Sequence, residues 1–432
     1  MRSPARYPQS DYKVLKKESY MDFDLFKLDF HKTMKRVFYF KGKNSKKLFD
    51  KLVKEWCKNK GVDKTSLVKE LQKRYNCDIS TMQKFVYLKN YFPVYLVKNL
   101  ILDLPKDVYE YYFNEFNRCS SQIKFGTSKS WITFPKKLSA KLSWLCGAIA
   151  ADGWISSDKD YKERLGIVDQ NERTVLRAKE FFQETFDFSP RVFKDKNKNC
   201  FMLIVDSKTI SKFFTTFMGC SYGFKTYTVS EPVIIKQSKF RLNFASGVLC
   251  FDGSVGLNST VSLGLKSKAL VKDVYEILNQ NELPVKYSKH SNGTYCITSS
   301  SLLNAGNITE WIKLFDEKLE KGYRLKCLVF GFKESVKTEN EALVRIRKFI
   351  KYPRRKECPF EKIFQLIKND NKILKEELLA KSGVAHATLY SYTWLLRKAN
   401  IVTCGTGYFG RGYKNEYIFN PNVSEWRLPM VC

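Results

Sequence analysis

Two aspartates, Asp152 and Asp252, stand about 100 residues apart, each followed by glycine and each closing a run of apolar and small residues. The runs read LSWLCGAIAADG (142–153) and FASGVLCFDG (244–253). Two carboxylates brought to one place repel and shift each other's pKa unless a cation lies between them. Carbonyl oxygens at a helix C-terminus add further negative ligands. Such hard oxygen donors suit a divalent ion, and Mg²⁺ fits. Histidine offers no alternative, because His31, His290 and His386 are the only three and share no motif. A histidine base, a Ser-His pair and histidine metal ligands are therefore poor candidates.

The elements around the two acids repeat. Leu142, Leu145 and Ile149 fall at i, i+3 and i+7, while Gly147, Ala148, Ala150 and Ala151 carry almost no bulk. Ala245, Ser246 and Gly247 form the same small flank in the second run. Helices with such flanks can pack with their backbones in near contact. Packed against each other, these two would bring Asp152 and Asp252 to one end of a pseudo-twofold seam. Behind each Asp-Gly comes the same order of pieces: two short strands, a helix (NERTVLRAKEFFQETF or KALVKDVYEILNQNE), a hairpin and a closing helix. One Asp-Gly is an ordinary turn. Two copies in one context predict an α+β chain with two αββαββα repeats, over 138–235 and 236–326.

This pattern resembles the LAGLIDADG (dodecapeptide) homing endonucleases in their single-chain, two-repeat form. LCGAIAADG (145–153) and ASGVLCFDG (245–253) stand where the family motif would stand. The resemblance spans roughly 130–325. It implies a pair of sheets forming a saddle on the DNA major groove and Mg²⁺-dependent cleavage of both strands, with Mn²⁺ able to substitute. Asp152 and Asp252 match the motif's last acid and become the metal ligands, with the carbonyls of Ala151 and Phe251 as auxiliary ligands. Gln170 and Lys266 occupy strand-end positions that resemble the family's water-ordering residue. Lys208 looks like its basic residue near the attacking water. Ser300 and Ser301 stand where a second such lysine would be, and Ala150 and Cys250 replace the motif's earlier acid. The resemblance also points to Arg191, Lys194, Lys196 and Lys198 of the first repeat and Lys286 and Lys289 of the second as DNA contacts. Their strand spacing suggests a single face.

The flanks differ from the centre. Residues 1–125 are Lys-rich and aromatic, with helical periodicity and a break at Asn76-Cys77-Asp78 that leaves Ser80 able to cap a further helix. We read a basic helical domain there, either a helix-turn-helix or an ordinary bundle. Residues 355–432 give three helices and a glycine-rich basic hairpin, the order of a winged helix. His386, Thr388, Tyr390, Ser391 and Arg397, with Arg411 and Lys414 of the wing, are its candidate DNA contacts.

The whole chain carries 76 Lys and Arg against 44 Asp and Glu, a formal net charge of +32. Such a field attracts polyanions, and each neutralised phosphate releases counterions. Metal-binding carboxylates on so cationic a chain point to phosphodiester hydrolysis. The expected partner is double-stranded DNA with a long asymmetric target, bound by a monomer. A catalytically inactive DNA-binding regulator and an RNA maturase bound to intron RNA remain alternatives. No apolar stretch is long enough for a membrane span and the start lacks a secretory core, so an intracellular place, cytoplasm or nucleoid, is expected. The twelve cysteines contain no C-x-x-C, which argues against structural zinc. With its own Met and no terminal His-Asn, the chain reads as free-standing rather than an intein.

Overall fold

The computed structural model describes residues 23–28, 37–89, 91–126, 130–156, 164–195, 197–220, 229–257, 259–300, 302, 307–350, 359–408 and 413–429. The candidate residues Lys196, Arg411 and Ser301 lie outside that set.

The N-terminal region comprises β1 (Phe38–Lys41), α1 (Ser45–Lys60), α2 (Lys64–Tyr75), α3 (Ile79–Gln83), β2 (Phe92–Pro93), α4 (Val94–Leu102), α5 (Lys106–Cys119), β3 (Gln122–Phe125) and β4 (Ile132–Thr133). Helix α1 buries Leu48, Phe49, Leu52, Val53 and Trp56 along one stripe and stops at Gly61, whose φ of +64° satisfies the last turn. The break between α2 and α3 falls at Asn76 as the sequence suggests, with Asp78 rather than Ser80 at the cap. The purely helical reading is corrected. The strands pair antiparallel in the order β2-β1-β3-β4. Phe38, Phe40, Ile123 and Phe125 alternate with polar or amphipathic neighbours, a period-two signal hidden in short, aromatic-rich segments.

The central region opens with α6 (Ala140–Asp152), β5 (Gly153–Ile155), β6 (Leu165–Asp169), α7 (Glu172–Phe186), β7 (Arg191–Asp195), β8 (Cys200–Val205) and α8 (Lys208–Phe217). It continues through α9 (Val233–Lys236), α10 (Arg241–Asp252), β9 (Gly253–Val255), β10 (Val261–Leu265), α11 (Lys268–Gln280), β11 (Val285–Lys289), β12 (Tyr295–Ser299) and α12 (Ile308–Leu314). Two antiparallel sheets result, ordered β5-β6-β8-β7 and β9-β10-β12-β11. In each, one face is buried against helices: Ile155, Leu165, Ile167, Leu203 and Val205 in the first, Val255, Val261, Leu263 and Ile297 in the second. A buried ion pair anchors the start of α10, where Arg241 donates to both carboxylate oxygens of Glu231.

The remainder is α13 (Glu320–Phe330), β13 (Glu334–Ser335), α14 (Glu339–Ile350), α15 (Pro359–Asp370), β14 (Lys372–Leu374), α16 (Lys375–Ser382), α17 (His386–Lys398), β15 (Val402–Tyr408), β16 (Tyr413–Phe419) and β17 (Arg427–Leu428). Phe360, Ile363, Phe364 and Ile367 are buried at the spacing the sequence shows. Gly383, with φ of +66°, turns α16 into α17. A three-stranded sheet, β14-β16-β15, covers these helices. Strand β17 pairs with β13, so the unit recruits residues before 355.

Candidate metal and nucleic-acid site

Helices α6 and α10 meet at their glycines. A Cβ on Gly147 would lie 2.1 Å from the carbonyl oxygen of Phe244, and one on Gly247 would lie 2.1 Å from that of Trp144. No side chain fits at either position. Ser143 donates to the Phe240 carbonyl at 2.8 Å, and one turn on Gly147 meets Phe244, so the helices run in the same direction. Each ends five residues past its contact glycine, roughly 7.5 Å along the axis. Asp152 and Asp252 thus close neighbouring helices at one end of the seam. Both are half-buried and both already interact within the protein. Trp144 bridges the seam, its ring 5.0 Å from Phe181 and 5.7 Å from Phe251.

The strand registers place Gln170 and Lys266 alike. Gly153 pairs with Ile167 and Gly253 with Leu263, and each candidate lies three residues beyond, at the acid-bearing end of its sheet. Gln170 is exposed there. Lys266 donates to the Asn292 carbonyl in the β11–β12 turn. Lys208 is not brought to this end. Leu203 is level with Gly153, β8 runs away from it, and the Lys208 ammonium lies 5.1 Å from the ring of Phe125.

The two carbonyls flanking the acids differ. Lys321 of α13 donates to the Phe251 carbonyl at 2.6 Å, with the Leu249 carbonyl at 3.4 Å. Its ammonium neutralises the negative end of α10, where the resemblance expects a metal ligand. Asp152, Asp252 and the Ala151 carbonyl are hard oxygen donors, the class that a divalent ion such as Mg²⁺ takes. The Phe251 carbonyl is not free to act as one while Lys321 holds it. Among the described residues there is no group of three or more His, Cys, Asp or Glu that could hold a metal. Below the site Cys250 is fully packed, and burial pushes its thiol up to about 12, as suits a small core residue. Nothing near Asp252 in the sequence announces Lys321.

The expected single face of cations is corrected. Arg191 and Lys194 are three residues apart, as are Lys286 and Lys289, and on a strand that spacing sends them to opposite faces. Arg191 is on the open face but paired with Asp206, Nε to Oδ2 2.9 Å. The ammoniums of Lys194 and Lys289 lie over Phe201 and Tyr295 at 5.7 and 5.6 Å. Lys286 is exposed on the open face, and Lys198 sits exposed in the β7–β8 turn. In α17, His386, Tyr390 and Arg397 are exposed, and Thr388 and Ser391 half-buried. The sequence reading missed Trp394, which shares that helix surface under the ammonium of Lys398 at 5.5 Å. Lys414 pairs with Gly407 in the β15–β16 hairpin.

Over about two fifths of its length the chain is similar in structure to LAGLIDADG homing endonucleases. I-DmoI in complex with DNA and Mn aligns with TM-score 0.32 and 16% identity, covering 41% of this chain and 97% of that one. I-WcaI bound to its DNA recognition sequence gives TM-score 0.30 and 13% identity, with 44% and 85% covered. The N-terminal LAGLIDADG domain of WhiA gives TM-score 0.29 and 12% identity, with 41% and 81% covered. No family model matches the sequence, and no curated protein matches it either. Among the described residues no helix is long and apolar enough to cross a membrane.

Proposed function

We propose that the chain is a site-specific, metal-dependent endonuclease acting on double-stranded DNA. The observation that carries this reading is the reciprocal glycine contact, which leaves two motif aspartates at one end of two parallel helices. Residues 138–235 and 236–326 act as pseudo-symmetric repeats whose open sheet faces lie along the groove, and the units flanking them lengthen the footprint. Asp152, Asp252 and the Ala151 carbonyl hold Mg²⁺ or Mn²⁺. When bound, the ion supplies Lewis acidity toward a phosphodiester oxygen and makes water a better nucleophile. Gln170 orients solvent at the end of β6. Lys266 fixes the neighbouring turn and adds positive charge for phosphate. Lys286 and the α17 surface bind the DNA backbone and base edges.

A plasmid library of random targets, incubated with Mg²⁺, tests the reading with wild type and Asp152→Asn. Sequence-specific cutting by wild type alone supports it. Tight duplex binding without cutting favours a DNA-binding regulator, a second reading that the Lys321–Phe251 contact favours. Preference for structured intron RNA over DNA would favour a maturase.

A further inference from the structure

The N-terminal sheet has an outer face that the nuclease reading leaves unused. By register, one row across it runs Pro93, Tyr39, Lys124 and Trp131, and the next runs Tyr91, Lys41, Gln122 and Thr133. The opposite face carries Phe38, Phe40, Ile123 and Ile132, all buried. Burial of the core therefore does not need the outer rings. Tyr91 and Trp131 are half-buried and meet edge to face at 5.6 Å. The Lys124 ammonium lies 4.9 Å from the Tyr91 ring and 5.1 Å from Trp131, and that of Lys41 lies 4.5 Å from Trp131. Phe85 borders the face, stacked on Tyr39 at 6.0 Å.

Beside these rows Lys41, Lys43, Lys46 and Lys47 line a shallow cleft with Ser121 and Gln122, and no carboxylate lines it. Lys46 is paired with Asp50 at 2.9 Å, and the cleft keeps an excess of lysines. Aromatic faces interleaved with ammoniums, next to a lysine-rich cleft, match the chemistry of an unstacked nucleic acid strand. Its bases stack on the rings and its phosphates meet the lysines. A duplex keeps its bases stacked on one another and offers no π-face to such rings. We propose that the outer face of β1–β4, with the adjoining lysine cleft, binds single-stranded DNA. Choosing DNA over RNA rests on the endonuclease reading of the central region.

The test uses the full chain and fluorescence anisotropy with labelled oligothymidine, oligouridine and a duplex of equal length. Trp131→Ala and Tyr91→Ala should each weaken oligothymidine binding about tenfold, the scale of one lost base–ring stack. Duplex affinity should not move, and Trp131→Tyr, which keeps a ring, should bind nearly as wild type. An unchanged oligothymidine affinity, or an equal loss on the duplex, overturns the proposal. Tighter binding of oligouridine would replace DNA by RNA as the occupant. Asp152→Asn separates this from the nuclease reading: it should bind oligothymidine normally whether or not the wild-type chain cuts DNA.

Discussion

The two central sheets share a strand order and differ in what they show to solvent. On the open face of β9–β12 stand Ser254, Ser262, Thr298, Lys286 and Ser288, small polar groups around an exposed lysine. Ser254 and Ser262 hydroxyls hydrogen-bond each other at 2.7 Å. On the open face of β5–β8 stand Trp154, Val168, Met202 and Phe193, and both Arg191 and Arg164, the residue before β6, are paired with Asp206. Gly166 belongs to this arrangement, because a Cβ there would lie 2.4 Å from the Trp154 indole. At the acid-bearing end, Lys321 holds the Phe251 carbonyl of the second repeat. One strand order thus carries a polar open face in one half and an apolar one in the other.

The largest effect expected is on chemistry. Asp152→Asn should lower cleavage of a selected plasmid target by about 10²-fold or more, the scale seen when one electrostatic group of an active centre is lost. A variant that still cuts at the wild-type rate would remove the first repeat from the site. Next comes the seam that holds both halves together. Gly247→Val should cost about 3 kcal/mol or more in urea unfolding, because the new atoms meet the Trp144 carbonyl. A midpoint like wild type would mean that the helices do not touch.

Smaller effects probe the inequality of the halves. Lys321→Met frees the Phe251 carbonyl and should change the ratio of nicking between the two DNA strands by about tenfold, roughly the effect of 1.4 kcal/mol. Equal strand preference in both proteins would make Lys321 purely structural. Lys286→Ala should weaken duplex binding and lower the salt slope by about 1, whereas Arg191→Ala, already paired with Asp206, should change the slope little. Equal losses in the two variants would erase the distinction between the faces.

Much of the acid-bearing end of the helix seam was legible because it is written in local sequence. The small flanks of Gly147 and Gly247 and the terminal Asp152 and Asp252 dictate close helices and where they stop. The helix and hairpin order near 359–419 was legible for the same reason, since periodicity and Gly383 mark the elements. Lys321 was not legible, because its contact with Phe251 exists only once α13 packs beside β9. The faces of Lys194 and Lys289 were misread where spacing should have decided: three residues along a strand reverse direction. Strands β1 to β4 escaped notice because two- and four-residue segments give too few alternations to compete with neighbouring helices.

The glycine seam has a consequence for how the central region could be taken apart. Interdigitated side chains can yield by changing rotamers, but two backbones in contact have nothing to yield with. The halves should therefore stay locked or separate wholly, with little sliding between. Expressed as separate chains, each would present a bare helical groove shaped for its twin, and mixing the two should restore one particle.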